Sequence, residues 1–315
     1  MVSRPTVLIV GAGGSIPYGY PSGVDLVSAI LRRIQHRRLN SQNDRSLERY
    51  FNFHVEELRE LAQRLQDSGL YSIDAFLEKP NHQRFVDLGK LLIAECLLPS
   101  ERLPIVSGND SDDDWYRYLA NRLAANLSAK KDQSLTILTF NYDRSLDHYL
   151  WHALQNSFSY STEESKEAFK RLHIFHLHGK LSDLPWEHSA DAEPGAFRAY
   201  STGSFSASGP AIAQGIKIIH ESTVGNATFN SAFKYLRAAE RVCFLGFGYH
   251  PTNMERLTRG RWYQRLNTTT LVGSTFGMTP SEVASAADYL EARLGTGYAS
   301  SKCLATLRHF STILD

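Results

Sequence analysis

Only three cysteines occur among the 315 residues, Cys96, Cys243 and Cys303. They stand far apart in apolar or helix-like stretches, and no CxxC pair exists. That argues against a disulfide framework and a structural zinc site, and for buried thiols in a reducing compartment. No apolar run approaches the roughly 18 residues that crossing a bilayer requires. The first strand-like stretch follows Met1 within a few residues, so no targeting segment and no membrane partner are expected, and the chain reads as cytoplasmic. Neither sign of charge is in excess: 34 Lys and Arg stand against 33 Asp and Glu, a formal net charge of +1. Nothing in that balance attracts nucleic acid. Also missing is GxxxxGK followed by Ser or Thr, which speaks against a P-loop ATPase. The stretch "GAGGSIPYGYPSG" (11–23) lacks the third glycine of GxGxxG, having Ile16 there, and "RRIQHRRLNSQND" offers no strand carrying a ribose-binding acid. A hydride-transferring dehydrogenase is therefore disfavoured.

What is present is the composition of an ordinary folded protein, 42% apolar and 21% charged. Because single cores stop growing at roughly 250–300 residues, one main domain with a helical elaboration is expected. Short apolar runs recur at "TVLIV" (6–10), "LTILTF" (135–140), "LHIFHLHG" (172–179), "RVCFLGFG" (241–248) and "TTLVGSTF" (269–276), with helical periodicity between them. Strands buried on both faces and alternating with helices predict an α/β fold, Rossmann-like and doubly wound, with a mainly parallel sheet. Ser22 is placed to cap the first helix with Asp25 as its reciprocal partner, and Val27, Ile30, Leu31 and Ile34 form its apolar stripe. Within a domain spanning 1–280, a helical insertion is expected at about 45–130 and a loop-rich insertion at about 181–238. The stretch 200–215 in the second is a candidate lid, and the acidic "SGNDSDDD" (107–114) reads as a solvated loop. Residues 281–315 read as helices packed on the same domain. No internal repeat and no dividing linker is visible.

A glycine turn between a strand and a helix offers backbone N–H groups and a helix dipole to an anion, or is merely a tight connection. Two other strand ends, "TFNYD" (139–143) and "HLHG" (176–179), carry polar residues where an α/β sheet places its ligand. Asn141, Asp143 and His178 together supply donors and acceptors suited to a ribose or a scissile glycosidic bond. Alternatively, Asn141 and Asp143 cap the helix that follows. His176 and His178, two apart on a strand, would share a face. With His173 they could form a metal site only if a further ligand joined them, so His176 reads as a packed histidine and no metal is expected. Asp74 in "SIDAFL" reads as structural, with Ser72 as cap and Ile73, Phe76 and Leu77 as core. His250 and Asn253 either touch a ligand or cap the helix "NMERL". Trp115, Tyr116, Tyr118, Tyr149 and Trp151 read as core or subunit-contact residues, whereas Tyr20 is a candidate for cleft contact.

Taken in order, GAGxS…GxP, TxNxD, HG and an apolar strand running into a glycine-rich turn, the motifs resemble the sirtuin family from Val7 to about Phe276. The resemblance implies an NAD-binding Rossmann-like domain. Gly11, Ala12, Gly13 and Ser15 would then receive the phosphates and wall the nicotinamide pocket, with Gly19, Tyr20 and Pro21 just beyond them. Asn141 would orient the ribose and a water, Asp143 would hydrogen-bond the carboxamide, and His178 would be the catalytic histidine on the ribose hydroxyls. Gly246 and Gly248, followed by Asn253, would meet the adenine-side ribose. Two departures weigh against peptide deacylation: "SGVD" follows Pro21 in place of a PDFR segment, and the four zinc cysteines are missing. The phrases "YGYPSG", "SIDAFL", "TFNYDRSLD" and "LGFGYHPTN" are more similar to the sirtuin-like NAD hydrolases of bacterial anti-phage defence. That implies NAD as substrate, and an effector held off by homo-oligomeric assembly or by a separately encoded sensor. A protein deacylase of reduced design, and a regulatory module that binds NAD or ADP-ribose without cleaving it, remain the alternatives.

Overall fold

The computed structural model describes residues 2–39, 54–102, 112–128, 134–188, 197–201, 212–218, 227–258, 270–291, 294–297 and 300–315. Strands β1 (Thr6–Val10), β2 (Leu135–Thr139), β3 (His173–His176), β4 (Arg241–Leu245) and β5 (Thr270–Gly273) form one sheet in the order β3-β2-β1-β4-β5. Every pairing between them is parallel. From β1 the chain winds outward through β2 and β3, then returns to lay β4 on the other side of β1. That reversal opens a crevice beyond the carboxyl ends of β1 and β4, the place where open α/β sheets hold ligands. The fold is thus α/β and Rossmann-like in its strand order.

The period of two along β1 explains both faces of the sheet. Leu8 and Val10 join one apolar cluster with Trp115, Leu119 and Ile137, while Val7 and Ile9 join another with Leu138, Phe244 and Met254. A third cluster belongs to helices α1 (Gly23–Leu39), α2 (Val55–Asp67), α3 (Ile73–Leu77) and α4 (Val86–Leu97), where Ile30, Ile34, Leu61, Phe76 and Leu92 meet. Ser22 caps α1 as its sequence indicates, its Oγ accepting from the Asp25 amide at 3.2 Å. Helix α5 (Trp115–Ser128), the last within the stretch expected as an insertion, packs on the sheet instead through Trp115, Leu119 and Leu123. Helices α6 (Ser145–Phe158) and α7 (Thr162–Lys170) precede β3, α8 (Ala227–Ala238) precedes β4, and α9 (Pro251–Thr258) follows it. The closing helices α10 (Pro280–Tyr289) and α11 (Cys303–His309) lie on opposite faces of the same sheet, through Ala286 and through Leu304 and Leu307. Among the described residues, no helix is long and apolar enough to cross a membrane.

Two expectations change at this level. The acidic loop is not wholly solvated: Asp113 is buried and accepts from the Leu304 and Cys303 amides at 2.5 and 3.3 Å, capping α11. Its carboxylate meets amides that the first turn of a helix leaves unpaired. Strand β3 ends at His176, so His178 lies past it in a turn closed by Gly179 at φ 69° and does not share a strand face with His176. Most of the candidate lid, 202–211, falls outside the described residues. The aromatic residues Trp115, Tyr116, Tyr149 and Trp151 are buried as core, and Cys243 and Cys303 are buried thiols.

One ion network ties the α4 end to the segment after β3. Arg144, wholly buried, forks onto Glu101 with bonds of 2.9 and 2.8 Å and donates to the carbonyls of Asp183 and Arg198 at 3.1 and 2.7 Å. Arg198 also donates to Glu101. Removing one member of a buried pair costs about 3–5 kcal/mol, because the other charge stays behind in a dry site. Arg144→Met is expected to lose that much in denaturant unfolding; a loss under about 1 kcal/mol, as for an exposed pair, would contradict it.

Candidate functional site

A cavity of about 640 Å³ occupies the crevice beyond β1 and β4. That lies in the range of roughly 300–1,000 Å³ usual for small-molecule sites. The turn after β1 forms its floor. There, the Gly11 amide donates to the Leu245 carbonyl at 3.0 Å and the Gly13 amide to the Gly246 carbonyl at 2.9 Å. The turns after β1 and β4 therefore cross in direct backbone contact. A Cβ on Gly11 or Gly13 would come within 2.8 Å of the Gly246 carbonyl oxygen, and one on Gly246 would sit 1.9 Å from the Gly14 nitrogen. These glycines answer to that crossing, and two of the turn's amides are occupied by it. What faces the cavity with positive polarity is a pair of helix ends: Ser22, Gly23 and Val24 at the start of α1, and His250, Thr252 and Asn253 at the start of α9. Helix α1 leaves backbone N–H groups and a positive dipole end toward an anion, whereas α9, which opens on Pro251 and whose Asn253 amide donates to the His250 carbonyl at 2.9 Å, offers chiefly its dipole end.

Asn141, just past β2, is held by three hydrogen bonds that it donates. Its amide nitrogen donates to the Gly11 carbonyl at 3.0 Å and to Ser15 Oγ at 2.9 Å, and its backbone N–H donates to Thr139 Oγ1 at 3.0 Å. The carbonyl of Gly11 can only accept, which fixes Nδ2 on that side and turns Oδ1 the other way. Oδ1 has no bond among the described residues, and Asn141 lines the cavity. Ser15 passes its own proton to Asp143 Oδ2 at 2.7 Å, and Asp143 Oδ1 accepts from the Ser145 amide at 3.1 Å and from the Ser145 hydroxyl. Asp143 is buried with both oxygens engaged; burial pushes its pKa up, opposed by the Ser145 and Ser15 bonds. It stands behind Ser15 and away from the cavity wall, so it touches a ligand only through Ser15 and Asn141. The residue that the sequence suggested as a helix cap does bond the first residue of α6, through that Ser145 amide.

His178 reaches the cavity from the turn after β3. It is 4% exposed, and its Nδ1 has no hydrogen-bond partner among the described residues. The edge of its ring meets Phe140 with centroids 5.3 Å apart. Burial lowers its pKa, with the Asp74 carboxylate and a bond to the Lys217 backbone acting in the opposite direction. His176 goes elsewhere, to Asp147. Among the described residues no group of His, Cys, Asp or Glu is arranged to hold a metal ion.

Of the residues singled out in the sequence, Gly11, Ala12, Gly13, Asn141, His178, Gly246, Gly248 and Asn253 line the cavity together. Ser15, Tyr20, Pro21 and Asp143 do not. Tyr20 is buried, its hydroxyl 2.8 Å from that of Tyr200. The sequence reading missed several walls. Ser72 caps α3 as expected, its Oγ accepting from the Asp74 amide at 3.2 Å, yet the Asp74 side chain also faces the cavity and accepts from the Tyr142 hydroxyl. Glu78, just past α3, pairs with Arg256 from α9 beside it. At the far end stand Phe276, 66% exposed, and Lys302, whose ammonium lies 5.5 Å from the Phe276 ring centre. The position of Phe276 just past β5 is a usable signal, because ligands sit beyond strand ends. Lys302 carries none, since it arrives from a distant segment. Compared with known proteins, the chain matches no family model, and no curated protein matches it.

Proposed function

We propose that the chain is an NAD glycohydrolase that cleaves the nicotinamide–ribose bond to give nicotinamide and ADP-ribose. The observation that carries this reading is that Asn141 and His178 line one cavity while, among the described residues, neither Asn141 Oδ1 nor His178 Nδ1 has a hydrogen-bond partner. Helix N-termini on α1 and α9 suit the pyrophosphate between the two ends of the substrate. Lys302 adds a cation at the Phe276 end, where the exposed ring offers a face to an adenine.

In the reaction, the bond from ribose C1′ to the pyridinium nitrogen breaks, its electron pair leaves with nicotinamide, and positive charge develops on the sugar. Asn141 Oδ1 accepts a hydrogen bond from a water and so turns the water's lone pair toward C1′. The new C1′–oxygen bond forms as His178 takes the water proton, directly or through a ribose hydroxyl. A depressed pKa suits His178 to this, since the ring stays neutral and able to accept at pH 7. Asp143 and Ser15 hold Asn141 in place from behind. The resemblance extends the proposal to an NAD-depleting defence effector, restrained by assembly or by a separately encoded partner.

The test is nicotinamide release from NAD by the purified chain, without peptide, over a range of protein concentrations. Release is expected to grow more than linearly if assembly activates the chain. His178→Ala is expected to lower it by about 10²–10⁴-fold, the usual weight of a general base. The acid limb of kcat/KM is expected below the ordinary histidine value of about 6.5. Native turnover in His178→Ala removes that residue from the mechanism, and release that depends strictly on an acyl-lysine peptide replaces hydrolysis with deacylation.

A further inference from the structure

The backbone carbonyl of Asn141 is also held, and by a charged group. His176, the last residue of β3, lies beside Thr139 in the register of β2 and β3. Its Nδ1 is 3.2 Å from the Asn141 carbonyl oxygen and its Nε2 is 3.1 Å from Asp147 Oδ2, in the first turn of α6. Both partners are acceptors: a carbonyl never donates, and a carboxylate beside an imidazole ring is ionised. A neutral imidazole has one N–H and can satisfy only one of them, whereas an imidazolium satisfies both. Burial alone would lower the His176 pKa, but the Asp147 carboxylate and its hydrogen bond carry it above the usual value. Asp147 is held low by the same partner against its own burial. The side chains of both residues are buried.

We propose that His176, as a buried imidazolium clamped by Asp147, is a positioning residue that fixes the main chain of Asn141 and thereby aims Asn141 Oδ1 into the cavity. This rests on the reading of Asn141 as the group that orients the attacking water. With His176 in place every polar group of Asn141 except Oδ1 is bonded within the protein: the backbone N–H by Thr139, the carbonyl by His176, and the side-chain amide by Gly11 and Ser15. The clamp also explains why two histidines so close in sequence differ in role. His176 is held charged by a carboxylate and works through a neighbour, while His178 is neutral and meets the cavity itself.

The experiment has two parts that fail separately. In the wild-type chain with nitrogen-15 histidine, both ring nitrogens of His176 are expected to read as protonated at pH 7.5, with the Nδ1 proton coupled across its hydrogen bond to the Asn141 carbonyl carbon. A neutral ring or a missing coupling overturns the proposal, whether or not the chain cleaves NAD. If this signature is present and the chain has no activity under any activating condition, the hydrolase reading falls while the clamp stands. In the kinetic part, His176→Gln is expected to lower kcat by more than about 10-fold with KM for NAD little changed, since a misplacement near 1 Å can cost 10²-fold. His176→Lys, which restores a cation beside Asp147, is expected to recover part of that loss. A His176→Gln variant that is less stable but turns over at the native rate would reduce His176 to a packing residue and overturn the proposal.

Discussion

Asn141→Ala is expected to lower kcat for NAD cleavage by about 10²–10⁴-fold, the same order as loss of the general base, because an unaligned water attacks a short-lived cationic sugar inefficiently. The substitution removes Oδ1 from the cavity and two donors from the floor beneath it. Ser15 Oγ and the Gly11 carbonyl each lose a partner, a cost of about 1–3 kcal/mol for buried groups left unsatisfied. The comparison must therefore be made at equal concentrations of folded protein. Asn141→Asp is a poorer probe, since a carboxylate oxygen would face the Gly11 carbonyl across the present 3.0 Å contact. Turnover within a few-fold of native in folded Asn141→Ala would contradict the role assigned to this residue.

Gly246→Ala is expected to abolish the folded state or to exceed the roughly 4–5 kcal/mol that marks the upper end of single substitutions. The residue has φ 56°, which disfavours any side chain, and a Cβ would lie 1.9 Å from the Gly14 nitrogen and 2.2 Å from the Gly13 carbonyl carbon. Those neighbours are backbone, anchored in turn by the Trp115 indole N–H on the Gly14 carbonyl at 2.8 Å. They cannot swing aside as a flexible side chain would. Gly248→Ala is the internal control, because a Cβ there meets nothing within 4 Å among the described residues and the backbone is not left-handed. It should unfold within about 0.5 kcal/mol of the native chain, as a substitution away from such contacts does. Equal stability of the two variants, by denaturant unfolding, would contradict the crossing of the turns as the reason for Gly246.

What could be read from sequence followed from periodicity and stopped where contacts are made by distant segments. The runs at 6–10 and 135–140 announced strands buried on both faces, and β1 and β2 are buried at every position. Ser22 and Asp25 announced the start of α1 by their spacing alone. The helical run 115–128 was equally legible as a helix, but no local pattern tells whether its apolar face meets other helices or a sheet; Trp115 and Leu119 chose the sheet. Asp113 looks like part of a solvated acidic stretch until Cys303 and Leu304 bring their amides to it. Polar residues at strand ends led to Asn141 and His178, because the sheet order itself puts strand ends at the crevice. The same rule could not separate Asp143 from the cavity wall. Only the hydroxyls of Ser15 and Ser145, one of them far off in sequence, show that its oxygens are turned inward. His176 and His178 share a motif and differ because β3 ends between them.

The most direct test of the central claim is the mass of the product formed when the chain is given NAD in oxygen-18 water with no other acceptor. Hydrolysis at this cavity should release nicotinamide and ADP-ribose carrying one heavy oxygen at the ribose C1′ of the cleaved bond. Nicotinamide released without that label, its ribose joined instead to another acceptor or closed on itself, would contradict water as the nucleophile and with it the role given to Asn141.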